Sequence, residues 1–274
     1  MVVNDRLRAN IDVSPRTAAF YDAVITALEE ERLPFMLGGA FAFEVYTDIG
    51  GQTKDLDLFL HPRDVDAAMA ALAKRGYETE MKARHWLGKV KSERDFVDII
   101  FGSGNGLAPV DDAWFEHALP AEVLGHEVRL IPVEEMLWSK SFIMERERYD
   151  GADIAHLIRV AGRTMDWRRL VDRFDRFWPV LLAHVVLYDF VYPADRGRVP
   201  DWVRAELLGR AQEGAVDPAA VEDRVCFGTA LSRAQYLPDV EGWGYRDGRL
   251  SPYGGLTESD VEHETARMRK ELDL

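Results

Sequence analysis

Between residues 33 and 60 the chain reads LPFML, then Gly38-Gly39, then an apolar stretch from Ala40 to Tyr46, and later DLDLFL. An apolar run of this length ending in a glycine pair reads as a strand entering a turn, and the stretch after it as a helix. In DLDLFL, Asp55 and Asp57 alternate with Leu56 and Leu58. In a strand, residues i and i+2 share a face, so the two carboxylates project together while the leucines enter the opposite layer. Two adjacent carboxylates repel unless something cationic joins them, and this restricts the folds that can use such a strand.

The surrounding sequence supplies helices and further strands. Residues 15–31 carry Phe20, Val24, Ile25 and Leu28 at helical spacing, and PRDVDAAMAALAKRGY after residue 61 reads as a helix opened by proline and closed near Gly76. Two strands are expected at about 84–91 and 96–101, and a hairpin within 121–132 turning on Gly125-His126. From Val133 the spacing becomes helical, over 133–148, 150–161, 166–177 and 178–191. Beyond about residue 214 the chain is loop-rich, with GWGYRDGRLSPYGG at 242–255, before a last helix near 257–272. The expected class is α+β, a mixed sheet flanked by helices and followed by a helical domain. The expected parts are residues 1–132, 133–214 and 215–274.

With 274 residues, 47% of them hydrophobic, the chain can bury one good core and a second smaller one. No apolar run approaches the roughly 18 residues that cross a bilayer, and the first ten residues hold no apolar signal core, so a cytoplasmic protein is expected. The single cysteine, Cys226, excludes a disulfide framework and a cysteine-rich zinc site, and reads as a small buried side chain. A formal net charge of −14 disfavours nonspecific nucleic-acid binding and suits a cationic small substrate. One basic island interrupts it, Lys82, Arg84, Lys89, Lys91 and Arg94 against Glu93 alone, which a solvated strand face would explain without a function.

The third candidate acid is Asp98 in FVDIIF, where Phe96 and Ile100 share its face. An ionised carboxylate among apolar neighbours is costly unless paired or metal-bound. Asp55, Asp57 and Asp98 together can hold two Mg²⁺ ions, and Asp98 is the candidate to accept the proton of an attacking hydroxyl. Asp95, three positions earlier, points to the other face and reads as a turn residue. Gly38-Gly39 lets phosphate oxygens approach backbone N–H groups at the start of a helix. His85, His117, His126 and His156 share no ligand spacing and read as surface or core residues. Trp243, Tyr245 and Tyr253 read as aromatic packing for the C-terminal tail, and Gly102, Gly104 and Gly106 as a flexible loop.

LGG at 37–39, TKDLDLF at 53–59 and VDIIFG at 97–102 resemble the DNA polymerase β-type nucleotidyltransferase superfamily over roughly residues 33–160. The chain looks most like the abortive-infection (AbiEii-type) toxins and the related antibiotic nucleotidyltransferases. The resemblance implies metal ligation and catalysis by Asp55, Asp57 and Asp98 with Mg²⁺ or Mn²⁺, and nucleotide binding by Gly38, Gly39, Thr53, Lys54 and Lys140. It also matches Asp150 and Asp153 to a family pair of acids three apart, as acceptor-site or structural groups. Thr53 and Lys54 stand where the family often has arginine and serine, and Tyr149 where it often has lysine. The implied activity moves a nucleoside monophosphate from an NTP to a hydroxyl of a small polyhydroxylated molecule, an RNA or a protein. The other reading is a silent binding module of the same fold, one half of a toxin and antitoxin pair. A cognate antitoxin or a homodimer is the partner implied.

Overall fold

The computed structural model describes residues 7–8, 13–50 and 55–271. Thr53 and Lys54 lie outside the described residues. Two compact units emerge, one of residues 1–104 with 109–132, the other of 105–108 with 133–274. Residues 215–274 therefore share a unit with 133–214.

The first unit is built on one mixed sheet. Its elements in chain order are β1 (Leu7–Arg8), α1 (Pro15–Glu30), β2 (Met36–Leu37), α2 (Gly39–Thr47), β3 (Asp55–Phe59), α3 (Val65–Lys74), β4 (Glu78–Ala83), β5 (Leu87–Ser92), β6 (Asp95–Ile100), α4 (Asp112–His117), β7 (Leu119–Val123) and β8 (His126–Leu130). The strand order is β1-β7-β8-β2-β3-β6-β5-β4. Strand β3 lies between β2, antiparallel to it, and β6, parallel to it.

The two faces of this sheet differ in chemistry. Leu56, Leu58, Val97 and Ile99 are fully buried. On their side, a Cβ at Gly88 would stand 3.1 Å from the methyl of Met69 on α3 and 3.7 Å from Ile99. Asp95 also points this way, accepting from Thr17 on α1 at 3.0 Å. Helices α1 and α3 thus cover the apolar face, and Asp55, Asp57 and Asp98 emerge on the other.

Several expected boundaries shift. Three strands occupy 78–100 where two were expected, because β4 alternates charged and uncharged residues on an exposed edge and residues 84–86 form the turn. The β7–β8 hairpin turns on Leu124-Gly125, both at positive φ, rather than on Gly125-His126. The 102–106 glycines are not a loose loop: Leu107, Ala108 and Val110 beside them are buried, and Gly104 packs against the Trp86 ring.

The second unit contains α5 (Val133–Ser141), α6 (Gly151–Ala161), α7 (Trp167–Phe174), α8 (Trp178–Val191), α9 (Asp201–Gln212), α10 (Pro218–Glu222), α11 (Arg233–Glu241) and α12 (Glu258–Glu271), with a two-stranded ladder of β9 (Val225–Cys226) and β10 (Arg246–Asp247). Phe142 stacks on Phe174 and meets Phe177 edge-on inside its core. Buried charges here meet opposite ones: Glu135 against Arg169, Arg204 against Asp189, and Asp247 against Arg249. Helix α5 stops at Ser141 instead of 148, because residues 143–150 fold back through Asp150 N–H donating to the Ile143 carbonyl. Of the tail aromatics, Tyr253 is buried whereas Trp243 is 67% exposed. Cys226 is half-buried, and burial pushes its thiol pKa up.

Candidate active site

The site starts from strand register. Because β3 and β6 run parallel with Asp57 opposite Asp98, the period-two pair of one strand meets the single acid of the other on one face. Asp55, Asp57 and Asp98 each offer a carboxylate oxygen within 4.8 Å of the others. Among the described residues no other group of three His, Cys, Asp or Glu side chains is so arranged.

The glycine pair sits directly on this cluster. Gly38 N–H donates to the Asp57 carbonyl at 3.0 Å, extending the β2–β3 ladder into the turn. Gly39, the first residue of α2, has φ +56°, a backbone region that L side chains avoid. A Cβ on Gly39 would fall 1.6 Å from Asp57 Oδ2. A Cβ on Gly38 would fall 2.2 Å from the Phe59 ring. Both positions therefore exclude a side chain, and only Gly39 does so at the acid itself.

Asp98 carries a counter-ion that the sequence did not disclose. Lys89 lies opposite it on the antiparallel strand β5 and donates to Asp98 Oδ1 at 2.6 Å. The ammonium also lies 4.0 Å from the Phe96 ring centroid. The Asp98 pKa is raised, first by burial, then by Asp55, while Lys89 opposes the shift. Below the acids, Tyr21 on α1 is fully buried, and its pKa is pushed up to about 12 by burial and by the fields of Asp55, Asp95, Asp57 and Asp98. Its hydroxyl stays neutral at any ordinary pH. Asp95 stands apart from the cluster, held by Thr17 and by Arg16 at 3.7 Å.

Three of the five cations of the basic island have acidic partners, Lys89 having Asp98. Lys82 pairs with Glu80, and Lys91 with both Glu78 and Glu80. These two acids lie just before the stretch; Glu80 meets Lys82 along β4, and both acids reach Lys91 across the β4–β5 ladder. The two lysines hold the Glu80 carboxyl at about 2. Of the histidines, His126 lies between Asp22 and Glu29, and His85 contacts the Gly104 carbonyl.

Residues 5–178, more than half of the chain, match the family described as "uncharacterised nucleotidyltransferase". The chain belongs to this nucleotidyltransferase family. Its mixed sheet flanked by helices, with helices following, is the nucleotidyltransferase fold. Solved structures similar to it include the antibiotic-resistance factor ANT(2″)-Ia in solution, 14% identical over 62% of this chain and 96% of that one, at a TM-score of 0.43. The lincomycin-bound lincosamide antibiotic adenylyltransferase LnuA is 18% identical over 53% of this chain and 96% of that one, at 0.38. JHP933 from Helicobacter pylori is 13% identical over 74% of this chain and 97% of that one, at 0.35. No curated protein sequence matches the chain. No helix among the described residues is long and apolar enough to cross a membrane.

The family match runs on through α5 and α6, where the later candidate residues form a cluster within the second unit. Lys140 donates to Asp150 at 2.8 Å and to Asp153 at 2.7 Å. Arg148 adds two bonds to Asp150, at 2.9 and 3.0 Å. Burial pushes the Asp150 pKa up, but Arg148 and Lys140 outweigh it and hold the carboxyl below its usual range. Asp150 stands at the N-cap of α6 without bonding its amides, because its oxygens are taken by the two cations.

Proposed function

We propose that this nucleotidyltransferase-family protein transfers a nucleoside monophosphate from an NTP to an acceptor hydroxyl, using Mg²⁺ held by Asp55, Asp57 and Asp98. The observation that carries the reading is the convergence of three carboxylates beside a glycine that admits no side chain. The residues fit a hard divalent cation: every donor is a carboxylate oxygen, and no imidazole or thiolate joins the group. When bound, such an ion neutralises phosphate charge and activates an attacking oxygen.

The chain's own residues divide the remaining work. Asp55 and Asp57, fixed to one face by strand periodicity, present the ligand oxygens. Gly39, without a Cβ, lets the first turn of α2 close on Asp57 and leaves backbone N–H groups open to phosphate at the helix start. Asp98 accepts the proton of the acceptor hydroxyl. Lys89 holds Oδ1 and so fixes the orientation of the carboxylate. Thr53, Lys54 and Lys140 complete the nucleotide contacts in this reading. Lys140 would do so only by sharing its ammonium with Asp150 and Asp153.

For the acceptor, the net charge of −14 favours a small polyhydroxylated cation over RNA. Pairing of Lys82 and Lys91 with glutamates and of Lys89 with Asp98 occupies three of the five cations of the basic island that spoke for RNA. A second reading, a silent module in an AbiEii-like toxin and antitoxin complex, is favoured by one observation: Lys89 already supplies Asp98 with a cation. Incubation with each labelled NTP and Mg²⁺, alone and with total RNA or a panel of aminocyclitol and lincosamide compounds, separates the readings. Label transfer to a compound that vanishes in Asp57→Asn supports the first. Absence of both transfer and metal-dependent NTP binding supports the second.

A further inference from the structure

The second unit contains a cleft that the transferase reading does not use. Residues 162–168, which run from the end of α6 into α7, face residues 197–202, which run into α9, across an open groove of about 650 Å³. Its floor is rigid. Trp167 is buried and donates from its indole nitrogen to the Gly162 carbonyl at 2.7 Å. A Cβ on Gly162 would lie 2.8 Å from the Arg198 carbonyl, so glycine here allows the two segments to close on each other.

The walls are cationic, in a chain that is otherwise strongly acidic. Arg163, Arg168 and Arg198 line the cleft against one acid, Asp166. The Asp166 carboxylate is already engaged, accepting from the backbone N–H groups of Arg168 and Arg169 at the start of α7. Arg168 lies over the Trp202 ring at 4.7 Å. Stacking fixes the plane of a guanidinium and leaves its N–H edge available for a bidentate acceptor. Neither Arg163 nor Arg168 makes an ion pair among the described residues, whereas most other arginines of this unit do. Arg198 Nε is buried without a hydrogen-bond partner, 3.6 Å from Asp195 Oδ1.

We propose that this cleft binds the phosphate of an organic phosphate ester, with Arg163 and Arg168 as its forks and Trp202 as the platform that orients Arg168. Guanidinium forks match the paired oxygens of a phosphate, and a volume of about 650 Å³ exceeds what one inorganic phosphate fills. A free nucleotide and a nucleotide within a strand carry the same chemistry. The proposal stands apart from the acid-cluster reading, because it needs neither metal nor NTP turnover.

The test is calorimetric titration of the full chain in EDTA, which silences metal-dependent binding, with inorganic phosphate, AMP and a 5′-phosphorylated ten-residue oligoadenylate as probes. AMP or the oligonucleotide is expected to bind, with at least tenfold weaker affinity in Arg163→Gln/Arg168→Gln. These side chains are exposed, so that variant should keep the wild-type melting temperature. Trp202→Leu should weaken binding severalfold by freeing Arg168. Tighter oligonucleotide than AMP binding, with a steep salt dependence, assigns the ligand to a strand; equal binding assigns it to the free nucleotide. Asp57→Asn should leave the affinities unchanged. The proposal is overturned if no probe binds at millimolar concentration, if inorganic phosphate binds as well as either ester, if the double variant binds like wild type, or if Asp57→Asn abolishes binding.

Discussion

Replacing Gly39 by alanine tests the contact on which the proposed metal site depends. The new Cβ would lie 1.6 Å from Asp57 Oδ2, 2.6 Å from its Cγ and 2.9 Å from its Cβ, so the carboxylate must retreat by more than an ångström. Holding alanine at φ +56° costs about 1–2 kcal/mol, and driving Asp57 off its rotamer costs about 0.5–1.5 kcal/mol. Together these predict a loss of roughly 2–3 kcal/mol, which lowers the melting temperature by several degrees at about 2–4 °C per kcal/mol. The same displacement takes one ligand out of reach, so Mn²⁺ affinity should fall at least tenfold. Gly38→Ala is the control, because its Cβ meets Phe59 and Ile131 instead, at a residue of negative φ. It should lose stability and keep its metal affinity. Differential scanning fluorimetry and calorimetric Mn²⁺ titration read both quantities. A Gly39→Ala protein with wild-type melting and wild-type metal affinity would refute the packing argument.

Other substitutions probe the remaining groups. Lys89→Met keeps the stem and removes the cation bonded to Asp98, whose repulsion of a second cation the variant relieves, so Mg²⁺ affinity should rise at least tenfold, and an unchanged affinity in the calorimeter would count against this role. Asp98→Ala should reduce label transfer by orders of magnitude, whereas Asp95→Ala, which breaks only the contacts to Thr17 and Arg16, should leave the rate near wild type. Lys140→Ala leaves the buried Asp150 with Arg148 alone and should lower the melting temperature; if it weakens NTP binding without any thermal effect, the ion-pair account fails. Burial depresses the His184 pKa while its Nε2 contacts the Ser141 carbonyl at 2.9 Å, so the fold holds a neutral ring. The unfolded chain takes up a proton below about pH 6.5 that the folded chain resists, so this stability is present above that value and lost as pH falls, by at most about 1.4 kcal/mol per unit. Melting temperatures between pH 7 and 5 should flatten in His184→Gln, and an unaltered slope would remove His184 as the cause.

The acid cluster was legible because each of its parts is local. Asp55 and Asp57 share a face by strand period alone, and the apolar neighbours of Asp98 marked its strand. That Asp57 and Asp98 would be direct neighbours depended on β6 pairing parallel to β3, a long-range choice the resemblance supplied and local pattern could not. Lys89 was counted only as part of a basic run, because its meeting with Asp98 follows from the β5–β6 register rather than from either sequence. The same blindness made the island look unpaired: Glu78 and Glu80 sit on β4, whose charged edge pattern hid it as a strand. Helix α11 was hidden by Pro238 inside it, and α9 by an apolar face interrupted by charge. The Arg163–Trp202 cleft joins segments about thirty residues apart, and nothing local in either one signals the other.

The most direct measurement of the central claim is a Mn²⁺ titration followed by electron paramagnetic resonance, in the presence of each NTP, on wild type and Asp57→Asn. The account predicts bound Mn²⁺ in the wild type, tightened by one or more NTPs, and loss of that binding in a variant that melts at or above the wild-type temperature. Equal Mn²⁺ binding by a folded Asp57→Asn protein, or none by the wild type with any NTP, would contradict a metal site at Asp55, Asp57 and Asp98.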